Sequence, residues 1–561
     1  MGFPSLRLLL SDRRLNRSFP FWRSLVAFAA GSLTVLAFAP FSLHYLAIPA
    51  TSLLFLLWLN GSPTQAFREG WLYGAGLMGV GVFWMHISID QFGNVGTLLA
   101  VLITLLFAAA MALFYGAVGW LAVRFDDAAT EPVARLLSFS LRWVLFEWLR
   151  GWVLGGFPWL ALGYSQIDSV VAGWAPLLGV YGVSLAITLS VAAVLGIILS
   201  GVVYRRLLLT ALLAVIWGGG YLLSELVEWT QAAGEPISVS IVQGNIAQEE
   251  KWRPENLQPT LDLYTDMTRK NWDSDLIIWP ETAVPAFVAQ VEKWFLRPME
   301  LEAKANRSTL LLGIADRKPD GKYYNAMLAL GTERAVYHKR HLVPFGEFMP
   351  LKSILRPLID WLQIPMSDFS PGAQRKPLLV LAGYAAGISI CYEDAFGAEV
   401  MEALPEAAFL VNASNDAWFG DSLAMPQHLE IARMRALESG RYLLRSTNTG
   451  ISAIVAPDGG IVAASPAFKR DLLTGSITPL QGMTPYARWG NWTIVSFAII
   501  GLVVLAVMRR RVRRLVGHAD SSVTLSRSTS FIGKARGRRA SPLSLAPGPL
   551  KAPGARQPVG E

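Results

Sequence analysis

The strongest constraint on the fold of this chain is the length of its apolar runs. Of its 561 residues, 53% are hydrophobic, and they are unevenly placed. Long apolar runs fill the chain before about residue 230 and return near residue 500, whereas the stretch between them has the composition of a soluble protein. Several runs approach the roughly 20 residues that a helix needs to cross the hydrocarbon core of a bilayer. The sequence therefore predicts a membrane helix bundle, a globular domain and a final membrane span.

Eight membrane-spanning helices are predicted from these runs. The first follows the arginine-rich segment 1–23. We interpret it as a helix rather than a signal peptide, because no small-residue cleavage site ends it and further apolar runs follow. The run at 136–163 also carries Arg142, Glu147 and Arg150, which suits a helix in the membrane interface or beside a polar cleft. The predicted spans are 24–39, 44–60, 70–88, 97–123, 136–163, 172–200, 206–228 and 491–508.

The arginines of the connecting segments predict the orientation of the chain. Loops with a surplus of Lys and Arg stay in the cytoplasm, and alternate loops carry arginine whereas the loop 87–97 has no Lys or Arg. We therefore expect segment 1–23 in the cytoplasm, the bundle 24–230 in the membrane and the domain 235–482 on the periplasmic side. Residues 509–561 return to the cytoplasm, where their Ser, Pro, Gly and Arg content predicts a disordered basic tail. The arginines of the alternate loops are Arg68, Arg124, Arg135, Arg205 and Arg206.

Short apolar strands alternate with helices in the domain 235–482, which predicts an α/β or α+β fold. A helix is expected from Gln427 to Ser439, because Ile431, Met434 and Leu437 recur on one face. The expected strands are 237–242, 276–279, 310–314, 327–330, 335–337, 387–390, 409–411 and 451–455.

Cys391 is the only cysteine of the chain, and it directly follows the predicted strand 387–390. A single cysteine excludes an intramolecular disulfide and any metal centre built from several cysteines. A lone cysteine is often an inert buried residue. Here Tyr392, Glu393 and Asp394 surround the sulfur with polar and ionisable groups, which favours a nucleophile held rigidly at a strand end.

Two other strand ends carry groups that could serve such a nucleophile. Glu281 follows the strand 276–279 and a proline, so a half-buried carboxylate there could act as a general base. Lys339 follows the strand 335–337, and a fixed ammonium could stabilise a thiolate or an oxyanion. Taken singly, each residue could equally be a solvated charge of the surface.

The order Glu281, Lys339, Cys391 resembles the Glu-Lys-Cys triad of the nitrilase (carbon–nitrogen hydrolase) superfamily. Further motifs extend the resemblance: Val242–Ile246 followed by Lys251-Trp252, and Asn412–Gly420 continuing to Thr447–Gly450. The resemblance implies a nitrilase-like α-β-β-α sandwich, with Cys391 as nucleophile, Glu281 as base and Lys339 as oxyanion stabiliser. It also implies supporting or substrate-binding roles for Glu347, Tyr392, Glu393 and Trp252.

Together with about eight spans, the domain resembles the membrane-bound N-acyltransferases of this superfamily, which complete bacterial lipoprotein maturation. That resemblance implies a multi-pass protein of the bacterial inner membrane with a periplasmic catalytic domain. The implied donor is a membrane glycerophospholipid, and the implied acceptor is the N-terminal amine of diacylglyceryl apolipoproteins. The superfamily uses no metal or other cofactor, and His338 and His341 lack a third ligand at suitable spacing.

An apolar loop beside Glu347 suggests how lipid could enter. Phe345 and Phe348 could dip into the outer leaflet as a lid and bind substrate, although ordinary core packing explains them equally well.

Two other functions are compatible with the sequence. One is a membrane-tethered nitrilase or amidase that hydrolyses a small amide. The other is a transporter or scaffold whose outer domain binds without catalysis, although the complete triad argues against it. The net charge of +8 is concentrated in the loops and the tail, so no nucleic-acid partner is predicted.

Overall fold

The structure is a computed structural model that describes residues 20–93, 95–126, 131–344, 346–348, 369–373 and 375–533. The described residues divide after Val503 into two compact units. The first unit contains the globular domain and the apolar helices that precede it, and the last apolar helix begins in it.

The amino-terminal half of the described chain is helical. Its helices are α1 (Pro20–Thr34), α2 (Ala47–Leu59), α3 (Pro63–Gly81), α4 (Met85–Gln91), α5 (Thr97–Phe125), α6 (Pro132–Arg150), α7 (Ala175–Leu199) and α8 (Val203–Leu226). Helices α3 and α5 approach closely because glycines lie where they cross. A Cβ atom on Gly70 would lie 2.3 Å from the carbonyl oxygen of Tyr115, and one on Gly119 would lie 2.4 Å from that of Ala66.

Four described helices are long and apolar enough to cross a membrane: 97–125, 170–199, 203–226 and 492–511. Helices α3 and α4 together make a fifth candidate, bent by 57°. Two shorter apolar helices cover 21–37 and 44–59. An apolar helical region is therefore confirmed, whereas the count of eight spans stays a prediction.

The predicted span 136–163 is wrong in its second half. Helix α6 ends at Arg150, and the chain then turns through Gly155 and Gly156, which both have positive φ (+93° and +73°). The guanidinium of Arg150 donates to the carbonyl oxygens of Phe157 and Trp159 at 2.7 and 2.6 Å. Glycine permits this backbone geometry, and the buried arginine holds the turn against the end of the helix.

The globular domain contains two facing β-sheets. The first contains β2 (Ile237–Gln243), β3 (Leu276–Ile278), β4 (Val284–Phe287), β5 (Thr309–Arg317), β6 (Tyr323–Leu330), β7 (Ala335–His338) and β14 (Asp471–Ile477), in the order β14-β2-β3-β5-β6-β7 with β4 beside β5. The second has the order β13-β12-β11-β10-β9-β8, built from β8 (Leu378–Leu381), β9 (Tyr384–Ile390), β10 (Phe409–Ser414), β11 (Leu443–Thr447), β12 (Ala453–Val455) and β13 (Ile461–Ala464). A short pair, β1 (Thr230–Ala232) and β15 (Leu480–Gly482), lies at the domain's ends.

Helices cover the outer face of each sheet. The core between the sheets contains Ile241, Ile278, Ile390 and Val411, all buried. Helices α9 (Gln248–Lys251), α10 (Pro254–Arg269), α11 (Val288–Val291) and α12 (Arg297–Ala305) precede or follow the strands of the first sheet, and α13 (Gly397–Val400) and α14 (Ala424–Ser439) those of the second. Strands β2, β3 and β5 are parallel, as are β9, β10 and β11. The predicted nitrilase-like sandwich is confirmed.

Helix α14, predicted at 427–439, also contacts the apolar helices. Gln427 accepts hydrogen bonds from the indole N–H groups of Trp84 (3.2 Å) and Trp159 (2.8 Å). Glu438 accepts one from the backbone N–H of Val180 at 2.7 Å. Gly179, with φ +69°, interrupts helix α7 immediately before Val180. The globular domain therefore satisfies a backbone group that the helix break leaves free.

The chain ends in helices α15 (Pro485–Trp489) and α16 (Trp492–Gly533). Helix α16 continues past the predicted end of the last span at 508. The basic segment after it has no Pro or Gly before Gly517, and Arg, Leu and Val allow the helix to propagate. The rest of the predicted tail, 534–561, lies outside the described residues.

Candidate active site

Three strand ends bring Glu281, Lys339 and Cys391 together between the two sheets. Glu281 lies beyond β3, Lys339 follows β7, and Cys391 follows β9. All three are buried, with 7%, 1% and 9% of their surface exposed. The Nζ atom of Lys339 lies 3.6 Å from Oε1 of Glu281 and 2.9 Å from Oε1 of Glu347. The structure thus brings together all four ionisable residues that the sequence predicted from separate segments.

Asn325 on β6 bridges the two carboxylates. Its side-chain nitrogen donates to Oε1 of Glu281 at 2.6 Å and to Oε1 of Glu347 at 3.1 Å. Its backbone carbonyl accepts from the N–H of Lys339 at 2.8 Å. The sequence analysis missed this residue, although a buried polar residue in an otherwise apolar strand is a usable signal. We call Glu281, Asn325, Lys339 and Glu347 the reactive cluster.

Cys391 occupies a strained backbone position. It has φ +52° and begins a 3₁₀ turn (Cys391–Ala395). A residue other than glycine keeps such a conformation only when its surroundings impose it. The side-chain nitrogen of Asn412 donates to the carbonyl oxygen of Cys391 at 3.2 Å and to Oγ of Ser389 at 3.0 Å. The strand end and this amide therefore fix the direction of the thiol.

Burial dominates the electrostatics of the site. It raises the pKa of the Cys391 thiol well above its ordinary value; Glu281 raises it further and Lys339 lowers it. Burial likewise raises the pKa of Glu281, against the effect of Lys339. Burial alone would lower the pKa of Lys339, but Glu347 and Glu281 raise it above its ordinary value. At neutral pH the site thus holds an ammonium, a thiol and a carboxyl group with enhanced basicity, which suits proton transfer from the thiol to Glu281.

Glu393 connects the turn of Cys391 to the segment after Lys339. Its carboxylate accepts from the hydroxyl of Tyr337 at 3.0 Å and from the N–H of Ile390 at 2.7 Å. It also accepts from the N–H groups of Arg340 (2.6 Å) and His341 (3.0 Å). With these four hydrogen-bond donors, Glu393 is placed to position the site rather than to react.

Tyr392 connects the same turn to the apolar helices. Its hydroxyl donates to the carbonyl oxygen of Gly156 at 2.9 Å, in the turn that follows α6. The candidate nucleophile is thus one residue away from a direct contact with the membrane-helix region.

A second buried charge cluster lies behind the nucleophile's turn. His428 donates through both ring nitrogens, to carboxylate oxygens of Asp394 and Asp416 that are each 2.9 Å away. Arg445 bridges the same aspartates at 3.3 and 2.9 Å. We call Asp394, Asp416, His428 and Arg445 the scaffold cluster. Arg445 also donates to Oδ1 of Asn412 at 2.7 Å, which fixes the amide that holds Cys391.

The aspartates and the cations of the scaffold cluster stabilise each other's charge. Burial opposes the charge on Asp416, but Arg445 and His428 lower its pKa to about 2. Burial and Arg445 act against the charge on His428, yet Asp394 and Asp416 raise its pKa to about 9. At neutral pH the cluster therefore contains two anions and two cations.

The three residues predicted to bind substrate differ in position. Trp252 follows α9 and is 49% exposed. Phe348 is half-buried, and an isolated bridge pairs its backbone with that of Pro344. Phe345 lies outside the described residues. Within the described part of the chain, no three His, Cys, Asp or Glu side chains are grouped to hold a metal ion.

Comparison with known proteins covers both halves of the chain. Residues 30–194 match the family model of the apolipoprotein N-acyltransferase N-terminal domain, and residues 238–486 match that of the carbon-nitrogen hydrolases. An apolipoprotein N-acyltransferase of Methylococcus capsulatus is 47% identical over 491 residues, which are 87% of this chain and 96% of that protein. The chain belongs to the apolipoprotein N-acyltransferase family.

Other relatives in the apolipoprotein N-acyltransferase family agree. The protein from Nitrosomonas europaea is 43% identical over 87% of this chain and 97% of its own length. That from Coxiella burnetii is 40% identical over 86% of this chain and 99% of its own length. The resemblance drawn from the triad and the flanking motifs is therefore confirmed. An apolipoprotein N-acyltransferase is an acyltransferase, which favours this class over the small-amide hydrolase and the non-catalytic binder.

Proposed function

We propose that this chain transfers an acyl chain from a membrane glycerophospholipid, through a thioester on Cys391, to the N-terminal amine of diacylglyceryl apolipoproteins. The observation that carries the proposal is the meeting of Glu281, Lys339 and Cys391 in one buried site, inside a unit that also contains the apolar helices. Lipid substrates need such helices, because both keep their acyl chains in the bilayer. The relatives that share most of the chain carry the same activity in their names.

The first half of the reaction forms the thioester. Sγ of Cys391 attacks the ester carbonyl carbon as its proton passes to Glu281, and Lys339 stabilises the oxyanion that develops. The carbon–oxygen bond to the glycerol then breaks. The leaving oxygen takes the proton from Glu281, and a lysophospholipid departs.

The second half uses the amine of the acceptor. The amine nitrogen attacks the thioester carbonyl carbon, Glu281 accepts its proton, and Lys339 again stabilises the oxyanion. The carbon–sulfur bond breaks, and the sulfur recovers a proton from Glu281. The products are an amide and the thiol of Cys391, so the enzyme returns to its starting state.

We further propose the topology and the domain division. Eight spans, with a bundle at 24–230 and a last span at 491–508, would place the domain 235–482 in the periplasm beside the outer leaflet of the inner membrane. The arginine distribution supports this orientation. In that arrangement the contacts of Tyr392 with Gly156 and of α14 with Trp159 would lie near the outer surface of the bundle.

The apolar loop remains a lid in this proposal. Phe348 is half-buried near Glu347, whose carboxylate accepts from the N–H of Val343 at 2.8 Å. Replacing Phe348 with Asp should weaken phospholipid use without unfolding the domain. Unchanged kinetics would show that the loop does not touch lipid.

Intact-protein mass spectrometry tests the proposed function. The purified protein is incubated with phospholipid vesicles beside the Cys391→Ala and Glu281→Ala variants. We expect an acyl adduct that hydroxylamine removes, and that is absent from Cys391→Ala. A folded, lipid-embedded protein that forms no adduct would contradict a phospholipid donor.

A further inference from the structure

Lys251 is a buried ammonium beside Glu281 for which the proposed reaction has no use. It ends helix α9 and is 1% exposed. Its Nζ atom donates to the backbone carbonyl oxygen of Glu281 at a long 3.4 Å. An ammonium has three N–H donors, and within the part of the chain that the structure describes this is the acceptor it finds. A buried cation with so little hydrogen bonding needs a compensating charge nearby.

The position of Lys251 is fixed by the strand ends of the second sheet. The side-chain oxygen of Gln248, on the same helix, accepts from Asn415 at 2.7 Å. Asn448 donates to the side-chain oxygen of Asn415 at 3.1 Å and to the carbonyl oxygen of Ile246 at 2.7 Å. The segment 246–251 is therefore held against the site, unlike a lysine on a mobile surface loop.

The charges around Glu281 balance only when Lys251 is included. The reactive cluster contains the carboxylates of Glu281 and Glu347 and the ammonium of Lys339. Without a second cation, this buried site would carry one net negative charge, which opposes the ionisation of both the base and the thiol. Lys251 interacts with the charge of Glu281, and that interaction favours the carboxylate form. In return, Glu281 partly offsets the burial that lowers the pKa of Lys251 to about 8.

We propose that Lys251 is a positioning residue of the active site, whose ammonium keeps Glu281 ionised as the base that accepts the proton of Cys391. The inference rests on the proposed function for its role in acyl transfer. The predicted effect of Lys251 on the ionisation of Glu281 changes the reactivity of the Cys391 thiol, which can be measured without a substrate. The other charged or polar groups that face Glu281 are Lys339, Glu347 and Asn325.

The charge of Lys251 also remains compensated during the reaction. When the proton moves from the thiol to Glu281, one carboxylate disappears and one thiolate appears, so the two ammonium groups still face two anions. Above about pH 8 Lys251 begins to lose its proton, and the site becomes net negative. Acyl transfer should then slow at alkaline pH in addition to its loss at acidic pH.

Alkylation of Cys391 by iodoacetamide tests this directly. The chain has no other cysteine, so the mass of the intact protein reports one site, and no lipid substrate is needed. The rate is measured against pH for the full-length protein in detergent. We expect the rate of alkylation to rise with pH as Glu281 loses its proton and becomes able to accept that of the thiol. This rise should vanish in Glu281→Gln, which identifies the part of the profile that depends on Glu281.

Lys251→Met removes the charge and keeps an apolar chain of similar length. We expect the Glu281-dependent rise to move to higher pH by about one unit, because the loss of a nearby cation favours the protonated acid. Lys251→Arg keeps the charge, so its Glu281-dependent rise should occur close to the wild-type pH. Lys293→Met is the matched control, since it removes a charge from an exposed lysine of the same domain.

If the Glu281-dependent rise in alkylation rate occurs at the same pH in Lys251→Met as in the wild type, the proposal is overturned, even if acyl transfer is slow in the variant. Should Lys251→Met fail to fold, as judged by thermal unfolding, Lys251→Gln and Lys251→Arg are compared instead. Equal pH profiles of alkylation in these two variants would overturn the proposal as well.

In the acyl-transfer assay, the acid limb of kcat/KM should shift with Lys251→Met while the phospholipid KM stays within about twofold. Failure of the proposed function would appear as a missing thioester with alkylation unaffected.

Discussion

The reactive cluster and the scaffold cluster are both buried groups of charge, and they differ in how completely their acceptor oxygens are hydrogen-bonded. In the scaffold cluster all four carboxylate oxygens of Asp394 and Asp416 have a partner on His428 or Arg445. In the reactive cluster, Oε2 of Glu281 and Oδ1 of Asn325 are buried with no partner among the described residues. Buried polar atoms normally have partners.

The number of unpartnered oxygens in a buried cluster affects both the stability of the fold and the reactivity of the cluster. A carboxylate whose oxygens are all paired with cations has a lowered affinity for a proton, as the pKa of about 2 of Asp416 shows. The free oxygen of Glu281 can accept a proton, but its burial destabilises the fold. Changes in the reactive cluster should therefore impair catalysis more than stability, and changes in the scaffold cluster should do the reverse.

The largest expected effect follows from Glu281→Gln. It removes the base, so thioester formation should slow by about a thousandfold, within the usual range for general base catalysis. The melting temperature should change little, because the lower cost of burying a neutral amide offsets the loss of the charge that faces Lys339. Acylation is followed by mass spectrometry and unfolding by scanning fluorimetry. A clear drop in melting temperature would contradict the comparison.

Arg445→Met should show the opposite pattern. It leaves Asp394 and Asp416 with His428 as their remaining cation, and removal of one partner from a buried ion pair costs about 3–5 kcal/mol. Chemical unfolding in mild detergent measures the loss. A variant as stable as the wild type would show that the scaffold cluster does not hold the domain.

His428 should contribute to the pH dependence of stability. Its pKa is raised from 6.5 to about 9, so its stabilising contribution is complete below pH 6.5 and is lost as the pH rises through 9. The loss is on the order of 3 kcal/mol. His428→Gln should be less stable at pH 6 and should lose this alkaline dependence, which melting curves between pH 6 and 10 will reveal. An unchanged slope in the variant would assign the effect to another group.

Asn325→Ala should have an intermediate effect on catalysis. It removes hydrogen bonds to two carboxylates, and bonds to charged groups contribute about 1.5–3 kcal/mol, or roughly tenfold to a hundredfold in rate. The expected loss is in kcat rather than in KM, because the amide positions Glu281, which transfers the protons. Steady-state kinetics with phospholipid vesicles separates the two constants.

The smallest effect is expected from a surface ion pair that serves as the reference for both clusters. Arg269 lies 2.6 Å from Glu302, and 54% of its side chain is exposed. Arg269→Ala should cost less than about 1 kcal/mol and leave the rate of acylation unchanged. A larger loss would mean that exposure is a poor guide to which charges matter in this protein.

The sequence predicted the reactive cluster better than the scaffold cluster. Glu281, Lys339 and Cys391 each end a short apolar strand, so local patterns indicate them and the family resemblance joins them. Asn325 and Lys251 act through packing between distant segments, and no local pattern indicates which buried polar residue will face which partner. No local pattern indicates His428, since its two aspartates are 34 and 12 residues away in sequence.

The fold shows the same limit. The apolar strands at 237–242 and 409–411 and the helix at 427–439 were predicted within a few residues. Strand β14 was missed, because its burial is partial and its sequence alternates weakly. The span at 136–163 failed for another reason. Composition cannot indicate that Arg150 will turn inward and stop the helix.

The contact between Glu438 and the break at Gly179 has a consequence for the history of the protein. A catalytic domain that caps a backbone group inside another domain cannot be exchanged freely for a relative's, since a recipient without the carboxylate would leave the N–H of Val180 bare. We therefore expect the two halves to be matched at this contact. Chimaeras that combine them from distant species should fail more often than sequence identity alone suggests, and restoring the pairing at these two positions should recover some of them.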